Sequence, residues 1–547
     1  GSDALLQARA GTYLSVSYSR NLSGVRSGRA SMDSLLLLLP AQRQRHLVAA
    51  AALAAASAAA YLLLRRRQRP RPPPGPRPWP LFGNLFNLER PTFLVAHSKW
   101  RRQYGDLVSF TFGSRRFVIL NSYAAIKEAL TSPEWAEVFS GRINSPFILS
   151  MTHGKGIVSA EGELWREHRR FALKVLRDFG FARSGTEEAI HAELAELQQT
   201  LDAEPGRGWE TDELVPRAIA NRAALQLPAG TQDEGFTDFM LASQENLQGN
   251  NIGRFIPTAF PGLYSIPGFM RLLQLIGVDV FVFKRNIEVT HRFCRDQIDR
   301  HRRNLAEVSE PADFLDAFLL EQQRLNSKRS DHSFDDFQLV RTLTELFIAG
   351  TDTTSNTIRW ALLYAALHPE CQDRIAAEVE AATGNSRLPV YRDKKAMHFT
   401  MAFIDEVQRY STLAPFSVGH RCTRDIRFKG YDISSNDLIM VNLYGVHHDP
   451  ELWDQPEQFR PERFINSSGE YETSEFLVPF SIGKRACLGE SLARQELFLF
   501  LSGIFQAYRV ELHKDCYKDL KDIEVGSAGL VHAPGKHQII FHRRAAK

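Results

Sequence analysis

The sequence is poor in cysteine, and its cysteines form no metal-binding or redox pattern. There are five in 547 residues, and no two of them stand in a Cys-x-x-Cys or zinc-ligand spacing. This distribution fits a protein of a reducing compartment. Four of them, Cys294, Cys371, Cys422 and Cys516, are expected to be small buried side chains. The fifth, Cys487, lies in a run rich in glycine and arginine, so it alone invites a chemical role.

Net charge is also low, and dinucleotide-binding and flavin motifs are missing. A formal charge of +4 on the whole chain is too small to indicate nucleic-acid binding, which needs a concentrated basic face. No Gly-x-Gly-x-x-Gly sequence follows a predicted strand, so electrons for any redox chemistry must come from a separate protein. Hydrophobic residues make up 44% of the chain and charged residues 24%, which is typical of a folded protein with a sizeable core.

One long run without charged residues lies near the N-terminus. Residues 47–64 are all apolar, Ala, Ser or Tyr, and three arginines follow at 65–67. The run is just long enough to cross a bilayer as a helix, and a buried helix of a soluble protein is the alternative. By the positive-inside rule the three arginines place the rest of the chain in the cytoplasm, although five arginines between 20 and 45 weaken that assignment.

The segments on either side of this run have distinctive compositions. Residues 1–46 are interpreted as a disordered leader, because 1–31 are rich in Ser and Arg and contain few acids, like a mitochondrial transit peptide. A cloning remnant or a mis-joined leader, with Met32 as the natural start, is an equal alternative. Residues 65–80 are basic and rich in proline, which predicts a stiff extended hinge. Residues 81–547 show no repeat and are predicted to form one catalytic domain.

Hydrophobic periodicity in this domain predicts mainly α-structure with small β-sheets. Apolar residues at helical spacing predict helices over 164–177, 335–367 and 370–382. A short alternation of apolar and polar residues on either side of Gly113 predicts a β-hairpin over 105–121.

The segment 480–489 carries the strongest functional signal. It reads Phe-Ser-Ile-Gly-Lys-Arg-Ala-Cys-Leu-Gly, and a helical pattern follows over 491–500. The helix dipole and the neighbouring Arg485 favour the thiolate form of a cysteine at this place. The two flanking glycines let the backbone fold around the sulfur, so that N–H groups can point at it. Cys487 is therefore a candidate metal ligand, and a buried cysteine before a helix is the alternative.

The residues of this segment match a known family. Phe480, Gly483, Arg485, Cys487 and Gly489 reproduce the cysteine-ligand signature of the cytochrome P-450 superfamily, which the domain resembles. The resemblance implies the cytochrome P-450 fold, haem b as cofactor and Cys487 as the proximal iron ligand. It also implies that Phe480 packs near the sulfur and that Arg485 pairs with a haem propionate. A thiolate ligand pushes electron density onto iron and favours O–O cleavage.

A second polar cluster interrupts an apolar helix upstream. Ala349 and Gly350 are followed by an acid and several hydroxyls, which are costly inside an apolar helix unless something uses them. In the superfamily the matching helix lies over the haem. The resemblance implies that Ala349 and Gly350 make room for O₂ and substrate, that Thr353 holds dioxygen and that Asp352 helps to deliver protons through water. A helix cap or kink built from Thr and Asp is the alternative.

A buried charge cluster is a further expectation. Glu406 and Arg409 lie three residues apart on a predicted helix, and by themselves they indicate only a weak surface ion pair. With Arg463 they resemble the structural core of the superfamily, where the removal of one partner strands a buried charge. Their expected role is structural.

Several more residues match positions that contact the haem or the substrate in relatives. Trp165 and Arg169 lie on one helix face, from which the arginine can reach a propionate. Arg142 and His420 match other propionate contacts, and a solvated arginine and a satisfied core histidine are the alternatives. The expected pocket residues indicate only size and apolar character; they are Phe347, Phe416 and Val418.

Three stretches bear on partners or on the pocket. A basic stripe on the helix of Trp165 is either a solvated face or a docking site for an acidic reductase; it consists of Arg166, Arg170, Lys174 and Arg177. Residues 255–270 are apolar and broken by prolines, as in a core segment or in a membrane-dipping segment beside the substrate entrance. Residues 221–235 depart from the usual pattern of the superfamily.

The resemblance implies a monooxygenase that hydroxylates a lipophilic small molecule, such as a fatty acid, a sterol or vitamin-D-like compound or a xenobiotic. O₂ is the second substrate, and electrons come from NADPH through a separate flavoprotein reductase, which binds the NADPH and the flavins. Cytochrome b5 is a further candidate partner, and no nucleic acid is expected. Alternatives are a haem-thiolate isomerase or peroxygenase that needs no reductase, and a non-catalytic haem- or lipid-binding relative.

The expected location is the endoplasmic reticulum membrane, with the catalytic domain facing the cytoplasm. The mitochondrion is the alternative if residues 1–31 are a genuine transit peptide.

Overall fold

The computed structural model divides the chain into two units, residues 1–70 and 71–547. It describes residues 71–84, 93–179, 184–224, 234–248, 256–260, 262, 266, 268, 271, 281–308, 310–328 and 331–545, all of which belong to the second unit. The predicted leader 1–46, the predicted anchor 47–64 and the first part of the hinge lie outside the described residues. None of the helices in the described part of the chain is both long and apolar enough to cross a bilayer.

Helices dominate the described residues, which confirms the predicted fold class. The first half contains α1 (Phe93–Tyr104), α2 (Tyr123–Thr131), α3 (Pro146–Thr152), α4 (Gly162–Asp178), α5 (Ser184–Ala203), α6 (Thr211–Ala224), α7 (Glu234–Gln248), α8 (Ile256–Ala259), α9 (Val282–Asn304) and α10 (Phe314–Asn326). The second half contains α11 (Asp336–Leu367), α12 (Pro369–Thr383), α13 (His398–Ser411), α14 (Leu443–His447), α15 (Glu490–Ala507) and α16 (Leu520–Val525). Each of the three helices predicted from periodicity is present within one or two residues of its predicted ends.

Local sequence explains where these helices begin and end. The side chain of Asp335 accepts a hydrogen bond from the Gln338 N–H and caps α11. Pro369 occupies the first turn of α12, where a missing N–H is harmless. Gly384 ends α12 in the left-handed conformation with φ 60°. Between α11 and α12 there is a single non-helical residue, His368.

The strands form small sheets beside the helices. They are β1 (Leu107–Phe112), β2 (Arg115–Leu120), β3 (Gly141–Arg142), β4 (Gly208–Glu210), β5 (His420–Arg421), β6 (Ile426–Phe428), β7 (Tyr431–Ile433), β8 (Leu438–Val441), β9 (Tyr508–Leu512), β10 (Ser527–Ala528), β11 (His532–Ala533) and β12 (Gln538–Arg543). The largest sheet has the order β1-β2-β8-β5-β3. Its β1–β2 pair is the predicted hairpin, with Val108 opposite Ile119. The other sheets are β4-β12-β9, β10-β11 and β6-β7.

The described part of the proline-rich segment lies against this hairpin. Residues 71–78 contain no helix or strand, as their prolines require. The Ser109 N–H donates to the Pro74 carbonyl at 2.8 Å, and the Ser109 hydroxyl donates to the Pro73 carbonyl at 2.5 Å. The segment is therefore fixed to the edge of β1 from about Pro73 onward.

Helix α11 runs through the main hydrophobic core. Trp360, which is fully buried on α11, belongs to the same cluster as Phe403 of α13 and Phe498 of α15. The indole N–H of Trp360 donates to the His532 carbonyl at 3.0 Å. The first part of α11 packs in a second cluster, with Leu339, Leu343 and Phe347, so residues 349–354 lie between two packed parts of the helix.

Two of the segments singled out in the sequence are described only in part. In the atypical stretch 221–235, residues 221–224 end α6 and residue 234 begins α7, whereas 225–233 lie outside the described residues. In the apolar stretch 255–270, the structure describes α8 and a few single positions. The interpretations of both stretches remain predictions.

The expected charge cluster is assembled in the interior. Arg409 pairs with Glu406 through two hydrogen bonds of 2.7 and 2.9 Å, and both side chains are 0% exposed. Arg463 donates to the same carboxylate at 3.0 Å, and so does the Arg460 N–H at 2.7 Å. Arg409 also donates to the His447 carbonyl at 2.7 Å. The cluster thus ties α13 to the end of α14 and to the segment that contains Arg460 and Arg463.

Breaking this cluster should destabilise the fold. We expect Arg409→Ala to lower the free energy of unfolding by about 3–5 kcal/mol, because it leaves the Glu406 carboxylate buried with one cation removed. Urea unfolding followed by circular dichroism measures the change. Arg324→Ala is the matched control, since Glu321 and Arg324 form the same two-bond pair at the same spacing on the exposed side of α10 and its loss should have little effect. Equal losses in the two variants would contradict the buried role.

Candidate functional site

The loop before α15 is folded tightly around Cys487. The Cys487 N–H donates to the Phe480 carbonyl at 2.9 Å. Ser481 and Gly483 have positive φ values of 58° and 81°, which reverse the chain direction within a few residues. A Cβ at Gly483 would lie 2.1 Å from the Leu130 carbonyl oxygen. Glycine is required at 483 both by its φ and by this close approach.

The Cys487 sulfur faces a cavity at the N-terminal end of α15. Burial raises the pKa of the Cys487 thiol, while hydrogen bonds from the N–H groups of Gly489 and Glu490 and the positive charge of Arg169 oppose the rise. The predicted helix effect is therefore present, but the cation that acts on the sulfur is Arg169 and not the expected Arg485, and burial outweighs both effects. A metal ion at the sulfur would reverse this balance, because coordination stabilises the thiolate.

Three arginines lie along one side of the same cavity. Arg485 donates to the carbonyls of Ser140, Ile157 and Ala160 at 2.9, 3.2 and 2.6 Å, and its guanidinium lies 3.8 Å from the centre of the Trp165 ring. Two further contacts hold the other arginines: Arg169 donates to the Ala486 carbonyl at 2.7 Å and Arg142 to the Val418 carbonyl at 2.8 Å. All three arginines and Trp165 line the cavity.

On this side of the cavity, nearby carboxylates do not offset the burial and the mutual repulsion of the arginines. Burial, together with repulsion from Arg485, lowers the pKa of Arg142 to about 9. Burial likewise lowers the pKa of Arg485 to about 10. Two buried donors, Arg142 Nε and Trp165 Nε1, have no hydrogen-bond partner among the described residues. Such a group of cations and donors fits a ligand that carries carboxylates.

His420 occupies a different environment. It lies on β5 and is buried, its Nδ1 is 2.8 Å from the Phe139 carbonyl oxygen, and it is not among the described residues that line the cavity. Burial, reinforced by Arg142, holds the pKa of His420 well below its usual value. These features correspond to the satisfied core histidine that the sequence left as an alternative.

Helix α11 forms the opposite wall of the cavity. Ala349, Gly350 and Thr353 line it, and nothing lies within 4 Å of a Cβ built on Gly350. The Thr353 hydroxyl donates to the Ala349 carbonyl at 2.5 Å. The small residues thus leave space in the cavity that Cys487 also lines, and their role in admitting O₂ and substrate stays a prediction.

Asp352 does not share this face of α11. It is buried and does not belong to the cavity lining within the described chain. Its negative charge acts on the buried Arg359 and favours the charged form of that arginine. Proton delivery by Asp352 would therefore need other groups to link its carboxylate to the cavity, because this side chain does not line the described cavity.

The expected pocket residues separate into two groups. Phe347 and Val418 line the cavity, which has a volume of about 360 Å³. Phe416 packs instead against the cluster of Trp100, Val108 and Phe110 beside the hairpin and is not part of the lining of the described cavity. Phe416 was assigned from its place in the sequence alone, and that place does not determine the direction of a loop side chain.

The cavity also contains two acids that the sequence did not indicate. Glu345 accepts hydrogen bonds from the Ile157 and Val158 N–H groups at 2.6 and 2.7 Å and from Arg341 at 2.8 Å. Glu496 accepts a hydrogen bond from the Thr354 hydroxyl at 3.1 Å. Ile157 and Val158 are far from Glu345 in sequence, and Thr354 is far from Glu496, so no spacing rule indicates these contacts. The pair of Arg341 and Glu345, in contrast, has the (i, i+4) spacing of a helix.

The predicted basic stripe on α4 is only partly free. Arg166 pairs with Glu137 and Glu163. Lys484 also pairs with Glu137, at 2.5 Å; it lies in residues 480–489, the loop that carries Cys487, which we call the ligand loop. Arg170, Lys174 and Arg177 are exposed. The exposed members keep a basic surface on α4, near the end of the loop that carries Cys487.

Comparisons with known proteins agree with this arrangement. A family model described as Cytochrome P450 matches residues 73–541. Cytochrome P450 2U1 of Bos taurus is 33% identical over 498 residues, which cover 85% of this chain and 88% of the relative. Cytochrome P450 2C8 of Homo sapiens is 33% identical over 471 residues, covering 85% and 92%. Cytochrome P450 2C3 of Oryctolagus cuniculus is 36% identical over 468 residues, again covering 85% and 92%.

The close approach at Gly483 leads to a test of the loop geometry. We expect Gly483→Ala to lower the free energy of unfolding by about 2–5 kcal/mol, because backbone strain and the clash with Leu130 act together. The matched control is Gly469→Ala, since Gly469 has the same φ of 81° but open space around its Cβ. Strain alone should then cost about 1–2 kcal/mol. Urea unfolding measures both values, and equal losses would contradict the importance of the contact.

Proposed function

Since this chain belongs to the cytochrome P450 family, whose members are haem-dependent monooxygenases acting on lipophilic substrates, we propose that it hydroxylates a fatty acid, a sterol-like compound or a xenobiotic. The observation that supports this most directly is a single thiol, Cys487, facing a cavity whose opposite wall is the small-residue segment of α11. O₂ is the co-substrate and a redox partner supplies the electrons.

The residues around the cavity fit haem b. The free donors of Arg142 and Trp165 and the neighbouring guanidinium of Arg169 suit the two propionates of this cofactor. Arg485 would add its positive charge at the same side. Cys487 would hold the iron through its thiolate, and the N–H groups of Gly489 and Glu490 would moderate its donation to the metal. When bound, haem supplies the activation of O₂, so that one oxygen atom enters the substrate and the other becomes water.

The distal residues would position the substrate and control protons. Ala349 and Gly350 leave room above the cofactor site, and Phe347 and Val418 provide apolar contacts. The Thr353 hydroxyl, bonded to the Ala349 carbonyl, can hold a proton on the cavity side of α11. Asp352 would exchange protons with this site only through intervening groups, since it lies on a different face.

Electron supply and location follow the same proposal. NADPH would bind to a separate flavoprotein reductase, and the exposed basic residues of α4 would attract an acidic face of that partner. Cytochrome b5 is a second candidate donor. We place the protein at the endoplasmic reticulum membrane through residues 47–64, with the catalytic domain in the cytoplasm. A genuine transit peptide in residues 1–31 would place it in the mitochondrion instead.

Replacement of the proposed ligand tests the central assignment. We expect Cys487→Ala to abolish the shifted carbonyl band of the reduced carbon-monoxide complex, because no thiolate remains to bind iron from the proximal side. The control is Cys516→Ala, which removes a partly buried thiol outside the cavity and should leave the band unchanged. An unchanged spectrum in Cys487→Ala would defeat the ligand assignment.

The electron source distinguishes this function from its alternatives. We expect the purified protein to oxidise at least one member of a panel of fatty acids, sterols and xenobiotics when NADPH and a flavoprotein reductase are supplied. Product formation measured by mass spectrometry and NADPH consumption are the two readouts. Turnover with hydroperoxide alone would support a peroxygenase. Haem and substrate binding without any NADPH consumption would indicate a non-catalytic relative.

A further inference from the structure

A second buried charge network lies behind the ligand loop, on the side of α15 away from the cavity wall formed by α11. Its centre is Arg494, one turn into α15. Arg494 donates to the Glu490 carboxylate at 3.0 Å and to the Asp405 carboxylate at 3.2 Å. Asp405 is 0% exposed, whereas Glu490 is 42% exposed. One cation therefore joins a buried acid of α13 to the first residue of α15.

The buried acid is held by more than this cation. The hydroxyl of Tyr471 donates to Asp405, and so does that of Thr473, at 3.2 Å. Although burial lowers the pKa of Arg494, the two carboxylates outweigh that effect and raise it. Arg494 is thus a fixed positive charge with a fixed orientation, which separates it from a mobile surface arginine.

Two further contacts connect this charge to the sulfur of Cys487. The Arg494 guanidinium lies 5.0 Å from the centre of the Phe480 ring, and the Phe480 carbonyl accepts the hydrogen bond from the Cys487 N–H. Glu490, the first residue of α15, is only three residues after Cys487, so its carboxylate and the sulfur lie at the same end of the helix. Two anions, the thiolate and Glu490, would thus share one helix N-terminus.

We propose that Arg494 is a positioning residue that sets the electron density at the Cys487 thiolate, by neutralising Glu490 and by fixing the first turn of α15 against Asp405. The inference rests on the proposed role of Cys487 as the haem ligand. One-electron reduction of the haem adds a negative charge to the site, so the balance between Arg494 and Glu490 should govern how readily that electron is accepted.

The measurement is the ferric–ferrous midpoint potential of the full-length, haem-loaded protein, titrated with dithionite and mediator dyes without any protein partner. Arg494→Gln should move the potential to a more negative value, because two carboxylates lose their shared cation. Glu490→Gln should move it to a more positive value, because one carboxylate near the sulfur disappears. Arg494→Lys keeps the charge and should stay close to the unaltered protein.

A matched control separates this effect from the general loss of an arginine. Arg509→Gln removes a 54% exposed arginine on β9 that lies 3.9 Å from Asp373, and it should leave the potential unchanged. A loosened ligand loop would move the potentials of Arg494→Gln and Glu490→Gln in the same direction. Shifts of the same sign, or no shift in either variant, would overturn the proposal. Because the titration contains no partner protein, a docking role for Arg494 cannot produce the expected pattern.

The carbonyl spectrum keeps this test distinct from that of the proposed function. If the unaltered protein lacks the thiolate-type carbonyl band, the ligand assignment itself fails. If the band is present in all variants and the potentials do not diverge, only the role of Arg494 fails. Should Arg494→Gln not retain haem because Asp405 loses its ion pair with Arg494, the sign of the shift in Glu490→Gln decides the outcome, since the Glu490 side chain is 42% exposed.

Discussion

The rest of the structure depends on one constraint, which is that the sulfur of Cys487 has to face the cavity. Cys487 must face inward at the beginning of a helix, so the chain before it has to reverse direction in a few residues, under the carbonyl of Leu130. A reversal this tight is possible only with Gly483 in the left-handed region. The loop has no regular structure of its own, and its shape is held by contacts from α2, α4 and α15.

The distribution of charge around the cavity follows from the same constraint. Positive charge is concentrated on one side, where Arg142, Arg169 and Arg485 donate mainly to backbone carbonyls instead of to carboxylates. Nearby acids favour the charged forms of Arg142 and Arg485 without offsetting their burial, and a dianionic cofactor can supply further negative charge. The two acids in the cavity lining accept hydrogen bonds from side chains of α11. Glu345 accepts one from Arg341, and Glu496 accepts one from Thr354. The cavity thus has a polar edge and a largely apolar remainder.

Sequence patterns within single elements predicted much of this arrangement, whereas contacts between distant segments could not be predicted. The spacing of apolar residues predicted the two long helices, and the caps at Asp335, Pro369 and Gly384 account for three of their observed ends. The directions of Phe416 and Asp352 depended on packing between distant segments. Phe416 packs against the hairpin, and Asp352 is buried outside the lining of the described cavity. A pattern within one helix cannot tell which face the cavity will use.

Two neighbouring acids on α13 show where this limit lies. Glu406 was found in the sequence because its partner Arg409 is one turn away on the same helix, although burial was implied only by the family. Asp405 is equally buried, but its cation is 89 residues away on α15. Adjacent helical residues point about 100° apart, so the two acids contact different parts of the protein. Glu406 binds Arg463, and Asp405 binds Arg494 of α15, the helix that follows Cys487. One turn of α13 thus carries both the acid of the structural charge cluster and the acid that pairs with Arg494 of α15.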